Sequence, residues 1–277
     1  MKRLITLLIT IVLVGCEEPY IIDQKQAAPN IVIEGLVTNQ LANHYVKLNR
    51  TTDFYSTGAT PRINGAQVEV SDNDGNSYIY QEEAPGIYYS EDPFQGIEGN
   101  LYRLSVVVDG TTYTAEEELR PVTSIDSLGY YLDEEQQRDL ADQNDLDPDE
   151  EGRIYEVLLY TKEPQETQDY YLFKFYRNGA LFNFDGEDVY YSDDEFLQEN
   201  IDGVAFNDWY KLGETARIEM YSITRNAYLY YSDLDITLNN DGGLFSPLPS
   251  NPRSNYTNGA LGLFQVSAVV IDSVKIE

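Results

Sequence analysis

Short segments of alternating apolar and polar residues, each closed by a turn dipeptide, recur along most of this chain. Few folds other than antiparallel β-sheet satisfy that pattern, because a period of two places one set of side chains on each face of a strand. In GAQVEVSDNDGNSYIY, Val68 and Val70 lie before the turn Asp72-Asn73-Asp74-Gly75, and Tyr78 and Tyr80 answer them on the return strand. In YRLSVVVDGTTYTAE, Tyr102, Leu104, Val106 and Val108 alternate ahead of Asp109-Gly110. That pair suits a two-residue type I′ turn, which needs φ > 0 at both central residues. DYYLFKFYRNGALFNFD uses Asn178-Gly179 in the same way. It predicts Leu172, Lys174 and Tyr176 on one face of a strand and Tyr171, Phe173 and Phe175 on the other.

IVIEGLVT and HYVKLNRT precede these hairpins, and together they make about seven strands in roughly 95 residues, the density of an immunoglobulin-like sandwich. The fold expected is mainly β, with an N-terminal immunoglobulin-like β-sandwich over residues 30–122. Pro121 interrupts the pattern after Arg120 and marks the boundary. A second antiparallel β-rich domain, sandwich or barrel-like, is expected over 123–277. It carries an acidic loop at 132–153 and one helix near 224–239. The helix is read from Ala227, Tyr231, Leu234 and Leu238, which fall on one helical face, with Thr224 placed to cap it. GALGLFQVSAVVIDSVKI closes the domain as one long strand or two short ones.

The N-terminus carries a different kind of information. Lys2 and Arg3 precede an uncharged run from Leu4 to Val14, and Gly15 and Cys16 follow. A spanning helix needs about 20 apolar residues, so this run is too short to cross a bilayer and reads as the core of a signal peptide, residues 1–15. Leu13-Val14-Gly15-Cys16 resembles a bacterial lipobox, in which cleavage leaves Cys16 as a lipidated N-terminal residue. Residues 16–29 then form a tether ending at Pro29. Cys16 is the only cysteine, so no disulfide can form within the exported chain, and its stability must come from an ordinary core.

The net charge is −30, with 48 acidic against 18 basic side chains, and loss of Lys2 and Arg3 with the leader makes it more negative. Such a balance opposes binding to nucleic acid and favours solubility, cationic partners and divalent ions. His44 is the only histidine and lies in an expected strand, with no nucleophile elbow anywhere in the chain, so it reads as structural or surface rather than catalytic. A zinc site built on histidines is excluded by the same count. Asp145, Asp147, Asp149 and Glu156 match four positions of an EF-hand, but Glu150 occupies the sixth position, where glycine is required, so an EF-hand is rejected. A looser Ca2+ site in the acidic loop stays open beside the reading as a solvated loop, and no other cofactor is expected. Asp72-Asn73-Asp74-Gly75 reads as turn chemistry. Tyrosine occurs 24 times, with doublets at 88–89, 130–131, 170–171, 190–191 and 230–231. In a strand, each doublet is expected to send one ring to the core and one outward, where it suits contact with a glycan, peptide or protein.

The order of the lipobox, IVIEGLVTN, HYVKLNRT, GAQVEVSDNDG, GIYYS, YRLSVVVDGTTYTAE, SITRNAYLYYSDL and NGALGLFQVSA resembles the Bacteroidota-type lipoproteins known as domain of unknown function 4249. The resemblance covers nearly all of the chain after the leader. It implies an outer-membrane lipoprotein anchored through Cys16, found beside TonB-dependent transporters and without an established activity. Glu17 and Glu18 resemble the acidic sorting signal that sends such proteins to the cell exterior. The expected role is thus non-enzymatic, as accessory or binding partner of a TonB-dependent barrel. A structural or adhesive surface protein that binds glycan or protein is the alternative, and a carboxylate-based hydrolase comes third.

Overall fold

The computed structural model describes residues 28–52, 58–132, 154–162, 164, 167–182, 189–194, 200–240 and 250–277. Its first strands are β1 (Ile31–Thr38), β2 (Tyr45–Arg50), β3 (Gln67–Asp72), β4 (Ser77–Ala84), β5 (Ile87–Ser90), β6 (Leu101–Val108) and β7 (Thr111–Glu118). They are followed by β8 (Ile125–Leu132), β9 (Ile154–Lys162), β10 (Tyr170–Arg177), β11 (Ala180–Phe182), β12 (Tyr190–Asp193), β13 (Asn200–Lys211) and β14 (Thr215–Ile223). The helix α1 (Arg225–Leu238) and the strands β15 (Leu261–Ser267) and β16 (Val269–Lys275) come last. The protein is therefore mainly β, as the alternation dictates.

The turns behave as their residues require. Val68 faces Tyr80 and Val70 faces Tyr78 across the β3–β4 hairpin. Asp109 and Gly110 adopt φ of 50° and 78°, and Asn178 and Gly179 adopt 51° and 83°, positive at both positions. Asp72 closes its own turn, accepting from the backbone N–H of Asp74 and Asn76 at 3.0 and 2.9 Å. Burial alone would raise the Asp72 carboxyl, but hydrogen bonds from Asn76, Tyr78 and Asp74 outweigh it and hold the group below its ordinary value.

One continuous ladder, in the order β15-β1-β2-β5-β4-β3-β6-β7, forms the first unit. Its two halves face each other across a single core, with Ile33, Val46, Leu48, Val70, Tyr102, Leu104, Val106 and Phe264 fully buried. The residues before β15 draw the two free edges together. Thr257 N donates to the Thr114 carbonyl at 2.8 Å, and Asn258 Nδ2 donates to the Thr112 carbonyl at 2.7 Å. The sheet is consequently a nearly closed barrel. Its eighth strand, β15, comes from beyond the 30–122 span and pairs parallel with β1, so this sheet is not contiguous in sequence.

GALGLFQVSAVVIDSVKI forms two strands that serve different sheets. The chain leaves the barrel at Ser267, passes the fully buried Ala268, and enters a second sheet as β16 beside β14. That sheet runs β11-β10-β14-β16, with β12 also paired to β10. A third sheet, β13-β9-β8, packs on one face of it, burying Val157, Leu159, Tyr171, Ile201, Tyr210, Ile218 and Met220. The opposite face meets α1 and β15 through Leu172, Tyr221, Ile223, Ala227 and Leu263. Leu263 and Phe264 point to opposite sides of β15, which is thus a wall shared by both units. The helix begins where Thr224 accepts from the Ala227 N–H at 3.3 Å and is capped by Asn239 at its other end. Among the described residues, no helix is long and apolar enough to cross a membrane.

Candidate functional site

Cys16, Glu17 and Glu18 lie outside the described residues, as do residues 133–153 of the acidic loop with Asp145, Asp147, Asp149 and Glu150. Among the described residues, no group of three or more His, Cys, Asp or Glu side chains is arranged to hold a metal ion. His44 stands just before β2 and is buried, 4% exposed. Its Nε2 donates to the Phe94 carbonyl at 3.0 Å, and its ring meets the Phe94 ring edge-on at 4.5 Å. Burial pushes its pKa down to about 4, so at neutral pH it is a neutral core side chain.

The tyrosine doublets divide according to which faces of their sheets are covered. Tyr88 is buried and Tyr89 half-buried, and Tyr131 is exposed beside half-buried Tyr130. Tyr170 and Tyr171 depart from the one-in, one-out expectation, because both are buried. β10 lies in the middle of its sheet with the third sheet on one side and α1 on the other, so both faces are covered at Tyr170–Leu172, while Lys174 and Tyr176 are half-buried. Tyr230 and Tyr231 stand in the helix, edge-on to each other at 5.4 Å.

Tyr190 and Tyr191 build the feature with the clearest chemistry. β12 pairs Tyr191 with Leu172 and Tyr190 with Phe173, so the two rings pass to opposite faces of the sheet. Tyr190 meets Phe175 edge-on at 5.1 Å. Tyr191 meets Tyr228 of α1 edge-on at 5.3 Å, and Tyr228 in turn leans on Tyr170 at 4.8 Å. Phe175, Tyr190, Tyr191 and Tyr228 line a cleft of about 540 Å³ together with Leu159, Ile201 and Val204. That volume lies in the range of small-molecule sites.

Two carboxylates enter the same cleft, Asp193 from β12 and Asp235 from α1. Tyr228 Oη donates to Asp193 Oδ2 at 3.3 Å, and Tyr191 Oη donates to Asp235 Oδ2 at 3.2 Å. Asp235 Oδ1 also accepts from Asn239 Nδ2 at 2.7 Å. Burial and the Asp193 carboxylate raise the Tyr228 phenol above its ordinary value, so it remains a hydrogen-bond donor. Burial, with Asp235 beside it, does the same for Tyr191. Asp193 Oδ1 is buried without a hydrogen-bond partner. The doublet at 190–191 was visible in the sequence. Asp193, Tyr228 and Asp235 carried no signal there, because their meeting depends on α1 packing against β12.

A second cavity, of about 640 Å³, lies between β7 and the start of α1. Its two arginines are already committed, Arg103 to Glu116 and Arg253 to Asp233 in a two-pronged pair at 2.7 and 2.9 Å. The 190–193 cleft is the better candidate, since its buried polar group is unsatisfied.

The fold and the cleft define a mainly β protein of several sheets, with one tyrosine-walled, acidic site at the junction of a sheet edge and its helix. The chain belongs to the family described as Domain of unknown function (DUF4249), which matches residues 17–271. No curated protein matches it. Among solved structures, the two fibronectin type-III domain segment from chicken tenascin is similar at 11% identity, covering 70% of this chain and 91% of that one. The TM-score is 0.20.

Proposed function

We infer that this protein is a lipid-anchored outer-membrane protein facing the cell exterior, which binds a ligand without transforming it and acts as accessory partner of a TonB-dependent transporter. The observation that carries the binding role is the cleft at β12 and α1. Its described walls offer ring surface and hydrogen-bond acceptors, the usual means of holding a small ligand in a preformed site. The anchoring role is supported by Lys2-Arg3, the short apolar run and Leu13-Val14-Gly15-Cys16, with Cys16 as the lipid attachment point. A diacylglycerol with a further acyl chain supplies the two lipid signals that durable anchoring takes. Glu17 and Glu18 support outward sorting by resemblance to the family's acidic signal. The charge of −30 disfavours nucleic acid as a partner.

Cell fractionation tests the anchor: Cys16→Ala is expected to move the protein from the membrane to the soluble fraction, and continued membrane attachment would overturn that part. Purification of a tagged chain after detergent extraction tests the partnership. A transporter barrel is expected to accompany it. If none does, while the protein binds immobilised glycans or matrix proteins, an adhesive role replaces the transport role.

A further inference from the structure

We propose that the β12–α1 cleft is a site for an organic cation, an ammonium or guanidinium group seated against the Tyr191 and Tyr228 rings with Asp193 as its counter-charge. This rests on the ligand-binding reading above and adds the chemical class of the ligand. Four observations converge on it.

The first is the unsatisfied oxygen. Asp193 Oδ1 is buried without a partner, while Oδ2 receives only the neutral Tyr228 hydroxyl. A buried acceptor left unpaired is costly, so a donor brought to the Asp193 carboxylate offsets that cost. The second is charge. Asp235 is also served only by neutral donors, Tyr191 and Asn239. Among the described residues lining the cleft there is no Lys, Arg or His. A neutral ligand would cover two carboxylates and leave their charge uncompensated in a drier environment, whereas a cation compensates it as it desolvates them. A cation thereby gains where a sugar of equal size loses.

The third observation is the aromatic wall. Tyr191 and Tyr228 come from two elements and both line the cleft, and ring faces attract ammonium and guanidinium groups, more strongly as water is excluded. The hydroxyls of Tyr191 and Tyr228 are turned to the carboxylates. That hydrogen bonding fixes the ring orientations before a ligand arrives, which lowers the ordering cost of binding. The fourth is the field of the whole molecule. An excess of 30 negative charges draws cations toward any of its clefts.

Titration calorimetry of the purified chain tests the proposal, with L-arginine amide and spermidine as free cations, an arginine-containing tetrapeptide as a chain-borne cation, and maltotriose as a neutral sugar. Cation binding is expected, weakening by about threefold or more between ~20 and ~200 mM NaCl, since the attraction is partly screened by salt. Asp193→Asn keeps the shape and removes the charge, and is expected to weaken cation binding about tenfold. Tyr228→Phe keeps the ring and is expected to cost less. Tighter binding of the free cations assigns a small-molecule ligand, and tighter binding of the peptide assigns a basic segment of a partner. Absence of binding by every cation to the folded wild-type chain overturns the proposal. So does maltotriose binding that neither salt nor Asp193→Asn alters. The salt series uses the wild-type chain alone, so it stands even if a variant fails to fold. Neither overturning result bears on anchoring, which Cys16→Ala reads separately.

Discussion

Substituting Gly262 is expected to open the barrel at its one parallel seam. Gly262 pairs with Ile33 across the β15–β1 ladder and has φ of +101°, a conformation that L side chains rarely adopt. A Cβ there would sit 2.9 Å from the Ile33 carbonyl carbon and 3.2 Å from the Ile33 nitrogen, and closer still to the carbonyl oxygen. These are backbone atoms in a strand and cannot rotate aside, so the two strands must separate. The conformational part of Gly262→Ala costs about 1–2 kcal/mol. Forcing the strands apart adds about 1–3 kcal/mol, the usual range for overpacking. Gly75→Ala isolates the first part, because Gly75 has φ of +90° with nothing within 4 Å of the added carbon. Urea unfolding followed by far-ultraviolet circular dichroism should show Gly262→Ala losing at least ~1 kcal/mol more than Gly75→Ala. That difference is a substantial share of a stability of about 5–15 kcal/mol. Equal losses in the two variants would refute the close parallel pairing of β15 with β1.

His44 supplies a pH-dependent contribution. Its pKa falls from 6.5 to about 4 on folding, so the unfolded chain binds the extra proton between those values. The contribution is therefore complete above pH 6.5, is lost as pH falls toward 4, and amounts to about 3 kcal/mol. Melting temperatures of wild type and His44→Gln across pH 4–7 should converge as the pH is lowered, and a constant difference would refute the burial argument. Asn255 ties three parts of the barrel seam together: Nδ2 donates to Glu117 Oε1 at 2.9 Å and to the Phe264 carbonyl at 2.8 Å, and Oδ1 accepts from Phe264 N at 3.0 Å. Asn255→Ala also leaves the buried Glu117 carboxylate to the longer hydrogen bond from Asn226 Nδ2 at 3.2 Å, so it should cost about 2–4 kcal/mol in chemical unfolding. A loss below 1 kcal/mol would show that water replaces the amide there.

Much of this architecture is local enough to be read from residues. The hairpins at Asp109-Gly110 and Asn178-Gly179 need only two residues that tolerate positive φ between alternating strands, and the helix needs only Thr224 and an apolar repeat. The two faces of β10 were also legible, Tyr171, Phe173 and Phe175 against Leu172, Lys174 and Tyr176, because the period of two fixes them. The burial of both Tyr170 and Tyr171 was not, since it depends on what covers each face of the sheet.

The sequence by itself determined the mainly β character, the turn geometry and a helix near 224–239. The tertiary structure alone decided that Leu261–Ser267 completes a sheet begun at Ile31, that Ala268 marks the passage into another sheet, and that Asp193 and Asp235 share one cleft. The division has a physical cause. Turn and helix signals are set by the φ, ψ and hydrogen-bond needs of adjacent residues. Strand partners and site-forming contacts are chosen by burial of surfaces more than two hundred residues apart in one case, and no local pattern records that choice.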